Sequence, residues 1–248
     1  MTMQGFRFAD NRRLRTICCA LLFAVGACTA PEATIQLGGS LSVLTSGTSF
    51  TSDALPDDWF ASGIIPDNHV AVSASLTSST LSITSTTNSF LVARRVRANV
   101  LATPYMSWRW RFEPGKWQYH PVRIIVGFSG GGADPVEQGA FARLFPGSAI
   151  PVYDRVMSFL WAPSALMRGT LVRIETETNV QREAHYTVRG GAENVGVWWQ
   201  ETVDLATLYR TSWPDDRIDK SSIAFIGVSS TTALKPLTVF ISDLRLSR

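Results

Sequence analysis

The chain has 248 residues, with hydrophobic side chains at 45% and charged ones at 17%, the latter below the usual share of about 25%. This supplies a substantial core and excludes wholesale disorder, while 18 glycines and 12 prolines exclude collagen-like or low-complexity architecture. The formal charge of +3 comes from the first 27 residues, where Arg7, Arg12, Arg13 and Arg15 stand against Asp10; without them 19 basic residues balance 19 acidic ones, so no nucleic-acid partner is indicated.

An apolar run from Ile17 to Ala27 follows the arginines. Eleven residues at 1.5 Å each span roughly 16 Å, about half a bilayer core, so the run is too short to cross. A basic region, a short apolar run and small residues together have the form of a secretory signal. Val25-Gly26-Ala27-Cys28 resembles a bacterial lipobox, which implies cleavage before Cys28 and acylation of its sulfur and freed amine. An ordinary signal peptide with an incidental cysteine is the competing expectation. Cys18 and Cys19 lie in the segment to be removed, so neither an intrachain disulfide nor a cysteine zinc site is expected of the mature chain. At about 0.8 kcal/mol per buried methylene, two or more acyl chains anchor a protein stably to a bilayer. Thr29, not an aspartate, follows the cysteine; by resemblance to enterobacterial lipoproteins this implies the outer membrane, with the domain facing the periplasm of a bacterial cell envelope.

Residues 28–49 are rich in Ser, Thr, Gly and Ala and read as an acylated N-terminus and flexible tether. Ile35–Leu37 and Leu41–Leu44 stay open there as an added edge strand. From residue 50 to 248 apolar residues recur mainly at period two, which predicts strands at Val70–Ser75, Thr80–Thr84, Phe90–Val96, Tyr105–Phe112, Val122–Ser129 and Arg155–Trp161. Further strands are expected at Leu171–Thr178, Ala184–Arg189, Val197–Val203, Ser222–Ser229 and Leu237–Leu246. Only Asp204–Ser212 is helical in pattern, with Asp204 as N-cap and Leu205 and Leu208 on the buried face. The fold class is therefore all-β: a two-sheet jelly-roll-like β-sandwich with one short helix, formed by a single domain over residues 50–248. Residues 130–154 hold no strand pattern and read as a large loop whose Phe141, Leu144 and Phe145 pack back onto the sandwich.

In Tyr105–Phe112, alternation sends Met106, Trp108, Trp110 and Phe112 to one face and Ser107, Arg109 and Arg111 to the other. In the next strand Val122, Ile124, Val126 and Phe128 oppose Arg123. If the two strands pair, three guanidiniums share one sheet face, an arrangement suited to carboxylates or sulfates. Trp117 and Tyr119, in a turn-rich segment beside them, and Trp198 or Trp199 are candidates for stacking on sugar rings. The competing expectation is ion pairing with a neighbouring strand, for which Arg173, Glu175, Glu177, Asn179 and Gln181 fall on one side of an extended chain. Glu175 and Glu177 sit about 7 Å apart on such a strand, within the loose range for paired carboxylates in glycoside hydrolysis, which makes them weak catalytic candidates. His69, His120 and His185 are scattered, no metal-binding spacing or nucleotide, hydrolase or phosphate-loop motif is present, and no metal or cofactor is expected. Asp215, Asp216 and Asp219 read as a solvated loop, with a structural calcium as the alternative.

Met106-Ser107-Trp108-Arg109-Trp110 leading to Pro121–Phe128, then Phe159-Leu160-Trp161, then Gly190-Gly191 through Trp198, Glu201 and Asp204 to Ile241–Leu244, resemble the DUF3047 family of bacterial envelope proteins over residues 58–248. The resemblance implies a jelly-roll-like β-sandwich and no assigned activity. The family pattern places an acidic pair just before the Arg123 strand and an acidic run near the last hairpin; here those places read Tyr119-His120 and Ser229-Ser230-Thr231-Thr232. The expectation is therefore a lipid-anchored, non-catalytic β-sandwich that binds a polysaccharide or another envelope component through Arg109, Arg111, Arg123, Trp117 and Glu175. A degenerate carbohydrate-active enzyme of glycosidase or lyase type using Glu175 and Glu177 is the alternative, and a structural assembly lipoprotein the second alternative.

Overall fold

The computed structural model describes residues 31–36, 38–75, 78–115, 120–133, 150–174 and 182–248. Among these, strands run in the order β1 (Ala33–Thr34), β2 (Leu41–Ser42), β3 (Phe50–Thr51), β4 (Trp59–Gly63), β5 (Val70–Ala74), β6 (Ser79–Thr84), β7 (Phe90–Asn99) and β8 (Tyr105–Phe112). They continue with β9 (Val122–Ser129), β10 (Arg155–Ala162), β11 (Leu171–Ile174), β12 (Glu183–Gly190) and β13 (Trp199–Asp204), then helix α1 (Leu205–Ser212), β14 (Ser222–Ser230) and β15 (Thr238–Ser247). The larger sheet has the order β1-β7-β14-β9-β10-β12-β11, with β4 also on β7. The smaller has the order β13-β8-β15-β6-β5-β3, with β2 on the far end of β15. The two sheets form a sandwich.

Period-two alternation decides what lies between the layers. Met106, Trp108, Trp110 and Phe112 of β8 face Val122, Ile124, Val126 and Phe128 of β9 and Met157, Phe159 and Trp161 of β10, all essentially without solvent contact. Ring centroids lie 4.9 Å apart for Trp110 and Phe112, 4.4 Å for Phe112 and Trp161, and 5.7 Å for Trp108 and Phe159. Such pairs contribute about 0.5–1.5 kcal/mol each beyond their buried area.

The strand patterns of residues 70–129 and 155–162 are met to within three residues at their ends, whereas β4 carried no alternation to find. Its consecutive aromatics go to opposite sides: Trp59 packs on Phe50 inside the sandwich, and Phe60 packs on Phe225 outside it. The outer side of the larger sheet thus holds its own apolar cluster of Phe60, Leu91, Ala93, Ile125, Val156 and Phe225, covered by Ile150 and Tyr153. Gly127 makes this possible, because a Cβ there would enter the Phe225 ring. Phe141, Leu144 and Phe145, expected to provide such cover, lie outside the described residues, as does the signal segment with Cys28.

Within the stretch expected as a tether, β1 pairs in parallel with β7 and β2 pairs with β15, and Leu41, Val43 and Leu44 are buried. The open alternative of a strand at Leu41–Leu44 is the one realised at Leu41–Ser42, and β1 lies just before Ile35–Leu37.

Helix α1 begins where its sequence signal put it. The Asp204 carboxylate accepts the Thr207 backbone N–H at 2.9 Å, satisfying an otherwise unpaired donor of the first turn. Its buried Tyr209 donates its hydroxyl proton to Asp216 at 2.9 Å. Arg155 forks the same carboxylate at 2.7 and 2.6 Å, and the Ala133 amide donates to it at 3.0 Å. With side chains 4% and 1% exposed, Arg155 and Asp216 form a buried ion pair tying β10, α1 and the Gly130–Ala133 turn together. Neither the solvated-loop reading nor the calcium reading of Asp216 holds: an arginine fork already supplies the positive charge. Asp219 is the surface residue expected, paired with Arg217 at 3.0 Å.

Replacing Asp216 by Ala leaves the Arg155 charge buried without its carboxylate, and a loss of about 3–5 kcal/mol in urea-unfolding stability is expected. Gly127→Ala forces the Phe225 ring aside and is expected to cost about 1–3 kcal/mol, seen as a lower denaturation midpoint at unchanged slope.

Candidate binding site

The larger sheet contains one parallel pairing in its second half, β10 with β12, while β11 runs antiparallel on the far side of β12. The chain leaving β10 must therefore cross the end of β12 before β11 can start. Residues 163–170 make that crossing, with a single 3-10 turn at Ala165–Met167 capped by Ser164. Its far end is sewn to β12 by the Gly169 amide donating to the Thr187 carbonyl and the Thr187 amide donating to the Thr170 carbonyl, at 2.8 and 2.9 Å. Gly190 lets it pass close, since a Cβ there would meet the Ser164 carbonyl. Arg168 reaches Glu201 at 3.8 Å; that carboxylate also accepts from the Trp110 indole at 3.3 Å and from Arg189 Nε.

Between this crossing and the outer face of the sheet lies a cavity of about 240 Å³. Its walls are Leu160, Trp161, Ala162, Met167 and Val172, with Thr170 and Thr187 as hydroxyl-bearing members. Arg123, His185 and His120 line it as well. The register explains their meeting: Ser158 of β10 is opposite Ile125 of β9 and His185 of β12, and Val172 of β11 is opposite His185. Successive outward positions of β9 and β12 thereby bring Arg123, His185 and Thr187 onto one patch.

Arg123 Nη1 lies 3.4 Å from His185 Nε2. Its buried Nε makes no hydrogen bond, and among the described residues no carboxylate forms an ion pair with it. Burial pulls the Arg123 pKa below the usual arginine value, partly offset by the field of Glu183; the guanidinium stays charged all the same. Burial, and then the Arg123 charge, lower the His185 pKa to about 4. Burial lowers that of His120 to about 3, and the Val122 amide donates to His120 Nδ1 at 3.2 Å, a bond that only the unprotonated nitrogen accepts. At neutral pH the cavity therefore holds one fixed positive charge and two neutral imidazoles.

The expected cluster of three guanidiniums is not formed. β8 pairs with β13 and β15, whereas β9 pairs with β14 and β10, so Arg109 and Arg111 lie on the outside of one sheet and Arg123 on the outside of the other. Arg111 is held between Phe240 and Trp198, with its guanidinium carbon 4.6 and 5.7 Å from the ring centroids. Arg109 lies 5.4 Å from the Trp198 ring and 3.8 Å from Asp243, an exposed pair of little energetic weight. Of the two adjacent tryptophans, Trp198 is thus the outward one, while Trp199 stacks under Arg189 at 3.8 Å. The strand expected to neutralise the three arginines belongs, as β11, to the sheet of Arg123 and not to that of Arg109 and Arg111. Trp117, Glu175 and Glu177 lie outside the described residues. His120, His185, Thr170 and Met167 were not singled out as a site, because their convergence depends on the parallel insertion of β12.

The sequence profile of DUF3047, a protein family of unknown function, matches residues 59–242. No curated protein matches the sequence. Among solved structures, the chain is similar to the xyloglucanase domain of NopAA, a type three effector from Sinorhizobium fredii, in complex with cellobiose, at 9% identity and a TM-score of 0.45, covering 82% of this chain and 100% of that one. It is also similar to Trichoderma harzianum endoglucanase 3 from family GH12, at 9% identity and a TM-score of 0.36, covering 79% and 99%. A carbohydrate-binding module of the β-sandwich superfamily is similar at 12% identity and a TM-score of 0.31, covering 85% of this chain and 57% of that one.

The lowered histidine pKa values make stability depend on pH with a definite sign. Histidine in the unfolded chain titrates near 6.5, while His185 and His120 in the folded protein titrate near 4 and 3. Between those values the unfolded state binds more protons, so stability falls as pH drops below about 6.5, by up to about 1.4 kcal/mol per pH unit for each histidine. Urea midpoints measured between pH 7 and 5 should show this slope in the wild type and a flatter one in His120→Gln/His185→Gln.

Proposed function

We propose that this protein, which belongs to the DUF3047 family, is a non-catalytic binding protein of the bacterial envelope whose ligand, a carbohydrate or another envelope component, enters the cavity under residues 163–170. One observation carries the reading: the charged guanidinium of Arg123 stands half-buried in the wall of that cavity, its Nε out of solvent contact, and is left without a carboxylate by its described neighbours. An unpaired buried charge costs stability. Arg155 and Arg189, by contrast, are met by carboxylates, Asp216 and Glu201. An incoming anionic or strongly polar ligand would supply the partner that the described residues do not. The two layers, read here as a jelly-roll-like sandwich, present this cavity on the outer side of the larger sheet.

The N-terminal segment completes the proposal. Cys28, following Val25-Gly26-Ala27, is taken as the acylated residue that anchors the protein to a membrane of the envelope, the outer one by the Thr29 criterion. The enzymatic alternative is not better supported, since none of the described residues lining the cavity is a carboxylate.

Two measurements test this. Fluorescence or pull-down binding of the full chain to purified envelope polysaccharides should be lost in Met167→Trp, which fills the cavity, and kept in Arg109→Ala/Arg111→Ala, whose side chains lie on the other sheet. Metabolic labelling with an alkyne fatty acid should tag the wild type and leave Cys28→Ser untagged. Polysaccharide binding that survives Met167→Trp and vanishes in the double arginine variant would move the site to the other sheet.

A further inference from the structure

We infer that the cavity takes a carboxylate carried on a compact, otherwise uncharged body of about one sugar ring, such as the terminal uronic acid of an envelope glycan. This rests on the binding role proposed above and narrows it from carbohydrate in general to an acidic end group.

Charge comes first. Of the lining residues only Arg123 carries a full charge at neutral pH, and none is acidic, so the empty cavity has a net positive charge with no internal counterion among the described residues. Glu183 lies near enough for its field to act on Arg123 but does not reach ion-pair distance.

Geometry comes second. With Nη1 directed at His185 and Nε unbonded, the Nε–Nη2 edge of the guanidinium has no acceptor among the described residues. That edge is one that grips a carboxylate bidentately. His185 is neutral, so its Nε2 faces the guanidinium as an acceptor and fixes the plane of the fork without adding a second cation.

Size and walls come third. About 240 Å³ is below the range of roughly 300–1,000 Å³ typical of drug-sized ligands. A polysaccharide chain cannot run through such a space, but its last residue can enter. Leu160, Ala162, Met167 and Val172 offer an apolar surface to the C–H face of a ring, while Thr170 and Thr187 can answer ring hydroxyls.

A carboxylate on an apolar body has a second source, a short aliphatic acid, and the experiment separates the two. The full chain in detergent micelles is titrated calorimetrically at pH 7 with glucuronate, galacturonate, glucose, galactose and hexanoate, using wild type, Arg123→Gln, Arg123→Lys and Met167→Trp, each verified folded by near-ultraviolet circular dichroism. The uronates should bind about tenfold or more tightly than the matching neutral sugars, the size of one charge-assisted contact. Arg123→Gln should abolish the preference, Arg123→Lys should keep part of it because a point charge lacks the fork, and Met167→Trp should remove binding of both classes. Equal binding of uronate and neutral sugar, or a preference that survives Arg123→Gln, overturns the inference while leaving a carbohydrate role intact. Binding of hexanoate alone, dependent on Arg123, upholds the carboxylate and overturns the carbohydrate reading. Binding of none of the five overturns both.

Discussion

The aromatic layer between the two sheets is the constraint on which the rest depends. Trp108, Trp110 and Phe112 reach across to Phe159 and Trp161, and their rings are satisfied only if β8 and β9–β10 belong to opposite layers. Sheets packed face to face lie about 10 Å apart. Every residue that alternates with these rings is then driven outward, Arg109 and Arg111 on one side of the molecule and Arg123 on the other. A single packing requirement thus places one guanidinium under a cavity and leaves two on an open face.

The larger sheet is treated differently along its outer surface. Near β4 and β7 it is dry, with Phe225 lying over Gly127 and capped by Phe60 and Tyr153. Toward β11 and β12 the same face bears Arg123, His185 and Thr187, roofed by a connection that does not fill the space beneath it. That roof follows from the parallel insertion of β12 between β10 and β11, since a simple hairpin would have left nothing to cross over.

Buried charge shows the same division. Asp216 collects two arginine bonds, a tyrosine hydroxyl and a backbone amide, and Glu201 collects two arginines and an indole. Both carboxylates hold distant chain segments together, as satisfied buried ion pairs do. Among the described residues Arg123 has a neutral histidine beside it and no carboxylate ion-paired with it.

By itself the sequence determined the layered all-β architecture, the inward faces of β8 and β9, the position of α1 with its Asp204 cap, and membership in a family. These rest on local periodicity and on side-chain chemistry within a few residues, which any window of the chain displays. It could not show β4, whose neighbours cover both of its faces, nor the function of Asp216, whose partners come from 61 residues upstream at Arg155 and 83 upstream at Ala133. Only the tertiary structure decided which strands pair, and with that decision it separated Arg109 and Arg111 from Arg123 and brought His120, His185 and Met167 to it. Alternation states which side of a strand a residue takes; it carries no information about which strand lies alongside, because that choice is settled by long-range packing of the aromatic layer.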